Sequence, residues 1–202
     1  MKGYTNKEKL QIFLNDTISN SDAIEAIESA EAMIDLYTGR NFKADSTDVE
    51  RYFNGDGKSE LCIDECISIS KVEVGLDEWG DNFLIKTKGG FNGYYLLPEN
   101  YEARGLPINA LLLRNDRWTT GKMNHRITAK WGFSKQPPLG IVTAATILAG
   151  GVYNYNRGSG GGTIQSESIG SYSVSYATDK DGGWAEYNRA LKILDGLRKY
   201  NL

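Results

Sequence analysis

The chain has one histidine, two cysteines, four prolines and no long apolar run, and the scarcities exclude a good deal. His125 is the sole imidazole, so no Ser-His-Asp or Cys-His arrangement can use any other. Its neighbours Asn124 and Arg126 place it at a strand start, where a partly exposed structural histidine is expected rather than a catalytic base. Cys62 and Cys66 are separated by three residues, whereas a structural zinc site wants four ligands, usually with close-spaced cysteine pairs. At this spacing both side chains share a face of a helix or a strand. Buried free thiols in a reducing compartment are therefore expected. The most apolar stretch, Leu139 to Val152, is broken by Thr143, Thr146, Gly150 and Gly151 and falls short of the roughly 20 residues that cross a bilayer. Residues 1–9 turn polar where a signal peptide would turn apolar, which predicts synthesis in a cytoplasm and makes the sequon at Asn15 a chance match. A net charge of −3 and a pI near 5.3 provide no global field for nucleic acid.

Other loops fail as sites. Gly55-Asp-Gly-Lys-Ser59 would need glycine at position 52 to be a phosphate loop, and Tyr52 stands there. Asp179-Lys-Asp-Gly182 lacks the later ligands of a calcium loop. Asp77, Glu78 and Asp81 fit a solvated loop tip better than a cation site. The expectation is a chain with no catalytic set, no cofactor and no metal.

What the sequence does contain is three apolar stripes at helical spacing and a long region that lacks them. Lys7 to Leu14 predicts a short helix with Leu10, Phe13 and Leu14 on one side. Asp22-Ala-Ile-Glu25 has capping-box spacing, and a helix follows to about Tyr37 with Ile24, Ile27, Ala30, Ile34 and Tyr37 as its stripe. Glu25, Glu28 and Glu31 lie away from that stripe, and Gly39 is placed as the C-cap. Pro137-Pro138 opens a third helix, Leu139 to Tyr155, with the stripe Ile141, Ala145, Leu148, Val152 and Tyr155. Its small residues Ala144, Ala145, Ala149, Gly150 and Gly151 would let another helix approach closely. A last helix runs from about Trp184 to Tyr200, with Trp184, Tyr187, Leu191, Leu194 and Leu197 apolar.

Between positions 49 and 133 the period is closer to two. Asn54-Gly-Asp-Gly57 predicts a hairpin joining 49–53 to 60–63. Further strands are predicted at 67–74, 83–87, 94–97, 110–114 and 125–131. Neither long terminal helix buries its face alone. The fold class expected is α+β, a small helical bundle of N-terminal helices packed on two C-terminal helices, with a β-rich insertion. The domains would be 1–48, 49–133 and 134–202, the last carrying a docking loop or strand at 156–176.

That docking segment is the most informative stretch. From Tyr172 onward, Tyr172, Val174 and Tyr176 alternate with small polar residues, the pattern of a strand with one apolar face. The glycine-rich run 158–162 tethers it loosely. A neighbouring chain can order such a strand by edge-to-edge pairing, so 156–176 is expected to settle on assembly, the alternative being pairing within its own subunit. The aromatic residues, 12 tyrosines and 4 tryptophans among them, suit either an interface or the filling of a β core.

The order of four segments resembles the head–tail connector (adaptor) proteins of long-tailed bacteriophages. They are the helix Ala30 to Phe42 ending in Tyr-Thr-Gly-Arg, the strand Ile127-Thr-Ala-Lys-Trp-Gly-Phe133 before Pro137-Pro138, the helix Leu139 to Asn156, and the segment Gln165 to Tyr176. The resemblance implies a virion structural protein located in the neck and made in the host bacterial cytoplasm. Its partners would be itself, in a ring usually of twelve, the portal protein, a stopper or tail-completion protein, and viral DNA sliding through without sequence-specific binding. Candidate interface residues are Ile164, Ile169, Tyr172, Val174 and Tyr176, with Arg198, Lys199, Tyr200 and Leu202 of the terminal tail, the tail resting mainly on the resemblance. A different class stays open: a ligand- or carbohydrate-binding module, or an enzyme, using Trp79, Tyr94, Tyr95 and Trp118 of the β region.

Overall fold

A computed structural model describes residues 2–77, 82–157, 164–169, 172–177 and 183–199; between 164 and 185 the description is of backbone. In chain order the elements are α1 (Lys7–Leu14), α2 (Asn20–Thr38), β1 (Val49–Gly55), β2 (Glu60–Gly75), β3 (Phe83–Ile85), β4 (Tyr94–Leu97), α3 (Tyr101–Arg104), β5 (Ile108–Leu113), β6 (Gly121–Trp131), α4 (Leu139–Asn156), β7 (Ile164–Ile169), β8 (Tyr172–Ala177) and α5 (Gly183–Asp195). The chain divides into two compact units, Met1–Arg40 with Pro137–Leu202, and Asn41–Gln136. The class is α+β, with an antiparallel sheet more substantial than an appendage to a small bundle.

In the first unit the helix ends follow local chemistry. Asn6 caps α1 by accepting the Lys9 N–H at 2.9 Å, and Asn15 closes it in the left-handed conformation. Ser19 caps α2, its hydroxyl accepting the Asp22 N–H at 3.1 Å, so the helix starts three residues before the box read from Asp22. Gly39, at φ 66°, ends it as expected.

The buried face of α2 is Ala23, Ala26, Ile27, Ala30, Ile34 and Thr38, with Glu31 among them. Two expectations are corrected here. Ile24 is 46% exposed, because small alanines rather than the larger isoleucine carry the close packing. Glu31 is buried because three backbone N–H groups, from Lys2, Gly3 (2.6 Å) and Tyr4 (2.8 Å), converge on its carboxylate and replace its hydration. The N-terminal segment is thereby stitched to α2, and the Thr5 hydroxyl meets that of Thr146 on α4 at 2.7 Å.

Helix α4 packs on α1, α2 and α5. A Cβ added at Gly150 would lie 2.6 Å from the Phe13 ring, so this glycine admits α1 at close range. Toward its C-terminus the buried residue is Tyr153, four after Ala149, while Val152 is half-buried and Tyr155 exposed, contrary to the stripe expected. Helix α5 ends at Asp195, not near Tyr200, because Gly196 interrupts it and the chain turns so that Lys199 N–H donates to Thr38 O at 2.8 Å. Ala190 and Leu194 are its buried positions, with Tyr187, Leu191 and Leu197 half-buried, and the side chain of Trp184 lies outside the described residues.

The second unit is a six-stranded sheet in the order β1-β6-β2-β5-β4, with β3 paired to β2. The sixteen-residue β2 pairs with β5 through its first half (Glu60↔Leu112) and with β6 through its second (Val74↔His125). The β1–β2 hairpin expected at Asn54-Gly55 does not form, because β6 lies between them and β1 pairs with it (Val49↔Ala129). Asn54 and Gly55 are engaged by β6 instead: the Asn54 side-chain oxygen accepts Met123 N–H at 2.7 Å, and Gly55 N–H donates to Asn124 Oδ1 at 3.0 Å. The core is filled by Trp118, Trp131, Leu111, Leu113, Ile108 and Ile127 among others. Both indoles are hydrogen-bonded, Trp131 Nε1 donating to Val49 O (2.7 Å) and Trp118 Nε1 to Ser59 O (3.0 Å). The first and last residues of this unit meet, with Phe133 N–H on Asn41 O and Ala44 N–H on Ser134 O.

Candidate interaction site

The residues able to do chemistry are dispersed. His125 is fully buried, not partly exposed, because the Thr119 carbonyl and the Trp118 ring of the β5–β6 connection cover it. Burial lowers its pKa from the ordinary 6.5, against a smaller opposing effect of the Thr119 hydrogen bond. Cys66 is buried and Cys62 exposed. They do not share a face because the β2–β5 register shifts between them, a bulge that the even spacing could not reveal. Burial pushes the Cys66 thiol up to about 12. One thiol is therefore expected to react with an aromatic disulfide reagent in the native protein and two in denaturant, Cys62→Ser removing the native reaction. Two native reactive thiols would contradict the placement. Asp77 accepts from Asn82 Nδ2 at 3.0 Å, while Glu78 and Asp81 lie outside the described residues. Among the described residues no three His, Cys, Asp or Glu side chains converge as a metal site would require.

The aromatic platform is not assembled either. Tyr94 and Trp118 are core residues, and Trp79 lies outside the described residues. Tyr95 lies under the Arg114 guanidinium, 4.2 Å from its ring centre. Tyr95, Tyr101, Leu112 and Arg114 line an open cleft of about 560 Å³ on the sheet unit.

The segment between α4 and α5 takes a definite form. β7 and β8 pair antiparallel, Ile164 opposite Ala177 and Ile169 opposite Tyr172, as a two-stranded sheet of their own. The strand read from Tyr172 is thus one arm of a hairpin, so one of its edges is already paired. The missed arm, 164–169, had a signal: Gly170-Ser171 is a two-residue hairpin spacer between runs of six. The side chains of Ile164, Ile169, Tyr172, Val174 and Tyr176 and the run 158–162 lie outside the described residues.

At the root of the hairpin the last turn of α4 is fastened to the α1–α2 corner. Arg157 Nη1 donates to Asp16 Oδ2 at 2.9 Å and to the Tyr153 hydroxyl, and Asn156 Nδ2 donates to Glu25 Oε1 at 3.2 Å. These partners lie far apart in sequence, and no local pattern marks them. At the other end of α5, Arg198 lies over the Tyr37 ring at 5.0 Å, and the Tyr37 hydroxyl donates to Asp195. That hydrogen bond holds the Tyr37 pKa above its ordinary value. Arg198 and Lys199 therefore contact α2 of their own chain, whereas Tyr200 and Leu202 lie outside the described residues.

No family model and no curated protein matches the sequence. Among solved structures the chain is similar to one in the neck of an empty GTA particle computed with C6 symmetry, at TM-score 0.54 and 11% identity over 96% of this chain and 89% of that one. It is also similar to one in the neck of a native GTA particle computed with C12 symmetry, at TM-score 0.51 and 12% identity over 95% and 89%. The likeness is one of fold. It spans nearly the whole of each chain, so it takes in helices and sheet alike. Among the described residues, no helix is long and apolar enough to cross a membrane.

Proposed function

We propose that the chain is a structural, non-enzymatic virion protein of the phage neck, a head–tail connector that forms a ring under the portal. The single observation that carries this is the full-length likeness to chains of two symmetric neck structures. On this reading the helical unit is the ring-forming body, and the sheet unit is an insertion carried between α2 and α4. The ring extends the DNA channel and receives the stopper or tail-completion protein. The β7–β8 hairpin docks on a neighbouring subunit or on the portal through the outer edge of one of its strands. A closed ring repeats a weak contact at every interface, which makes the assembly stable collectively.

The net charge of −3 suits a conduit, since a basic wall would grip phosphates with salt-sensitive affinity. The protein is made in the host cytoplasm and resides in the particle. Mixing it with the portal oligomer is expected to give a ring-on-ring complex by light scattering, while free duplex DNA at physiological salt leaves it unbound. Tight duplex binding, or no complex with portal, would overturn the reading.

A further inference from the structure

The connection between β5 and β6, residues 114–120, is strapped across the β1–β2 turn. Trp118 N–H donates to Lys58 O (2.9 Å), Trp118 Nε1 to Ser59 O (3.0 Å) and Arg117 Nη1 to Gly57 O (3.3 Å). Beneath the strap sit two fully buried polar side chains of β6, Asn124 and His125. Both reach the same acceptor: the Thr119 carbonyl is 2.7 Å from Asn124 Nδ2 and 3.0 Å from His125 Nε2. Asn124 Oδ1 in turn holds Gly55 N–H, so strap, turn and β6 converge at one point. The packing there is tight, since a Cβ at Gly55 would lie 2.4 Å from His125 Nε2 and 1.9 Å from Thr119 O.

A carbonyl oxygen only accepts, so His125 Nε2 carries the hydrogen and Nδ1 is a bare lone pair. Nδ1 is buried and, among the described residues, has no hydrogen-bond partner. The ring meets Trp118 edge-on, with centroids 5.2 Å apart. We propose that His125 is a proton-operated latch: uptake of one proton from solvent at Nδ1 releases the 114–120 strap from the β1–β2 turn and uncovers Trp118.

Protonation in the closed state would create a buried cation with an N–H that finds no acceptor. Among the described residues, burial and the Thr119 carbonyl act on the ring and no charged side chain offsets the new charge. Phe53 of β1 and Val74 of β2 lie opposite His125, and Trp118 faces it from the strap. Of the charged residues of these elements, Arg51 pairs with Asp64, Glu50 and Glu73 with Arg126, Lys71 with Glu73, Asp56 with Lys58, and Asp116 with Lys86. In the closed state burial keeps the ring neutral, whereas an opened strap returns it to water and its ordinary value. Above that value, 6.5, opening is independent of pH. Below it the open state binds more protons than the closed one, so the opening constant rises about tenfold per pH unit until the closed-state ring also titrates.

Because His125 is the only histidine, the test is unambiguous. Amide exchange, corrected for its intrinsic pH dependence, is followed on the full chain from about pH 7.5 to about pH 5, alongside an NMR titration of the ring. The protection of Leu113 and Trp118, whose N–H groups bond Ser59 and Lys58, is expected to fall about tenfold per unit below pH 6.5, while the β2–β6 pair keeps its protection. The ring should titrate below 6.5, and His125→Gln should leave strap exchange flat with pH. A ring that titrates at its ordinary value, or strap protection that stays flat through this range, would overturn the latch. So would a Gln variant that keeps the slope. If that variant fails to fold, the two wild-type measurements decide alone.

Discussion

Gly132→Ala is expected to unfold the sheet unit under conditions where the native chain is stable. Gly132 follows Trp131 at the end of β6 with φ 133°, a region that side chains rarely enter. Its N–H donates to Glu65 O at 2.7 Å, which fixes it on β2. A Cβ there would lie 2.5 Å from Ala44 Cα and 2.8 Å from Ala44 N, backbone atoms that no side-chain rotation can move away. Backbone strain of about 1–3 kcal/mol and overpacking of about the same size add to about 2–6 kcal/mol. That is a large share of the roughly 5–15 kcal/mol that stabilises a domain. Gly151→Ala is the control, because a Cβ there meets nothing within 4 Å and the position is helical. It should stabilise by about 0.5–1 kcal/mol. Urea denaturation followed by near-ultraviolet dichroism separates the two, and equal midpoints would show that the Trp-Gly strand end is not constrained as described.

Replacing 164–177 by a short Gly-Ser linker is expected to leave the fold intact and to abolish assembly. β7 and β8 pair with each other and, among the described residues, with no other strand, so removing them takes no hydrogen bond from the six-stranded sheet. The root at Arg157 and Asp16 remains. If the hairpin carries the ring contact, its loss is multiplied around a closed ring, and apparent assembly affinity should fall by about 10²–10⁴. Analytical ultracentrifugation of the variant with and without portal checks this, with thermal denaturation to show that the fold persists. Ring formation at wild-type concentration would remove the hairpin from the assembly account.

Much of the fold was legible because it follows local periodicity and punctuation. Lys7–Leu14 and Tyr94–Leu97 lie where the pattern put them, and Gly39 ends α2 as a left-handed cap. Partner choice was less legible. Asn54-Gly55 announces a turn, yet which strand lies beside β1 depends on β6, some seventy residues later. The bulge that separates Cys62 from Cys66 and the donors that draw Glu31 into the interior are long-range effects of the same kind. At the candidate site, 172–176 was readable as a strand from its alternation, whereas its partner 164–169, richer in polar residues, was not. The fastening of Arg157 to Asp16 had no local signal at all.

The most direct measurement is a cryo-electron-microscopy reconstruction of the neck of particles from the strain that encodes this chain. Density for α2, α4 and α5 of this protein is expected to repeat in a closed ring directly beneath the portal, with β7–β8 seated against an adjacent subunit or the portal. Particles that are complete, with a ring at that position built from another protein and this chain absent, would contradict it.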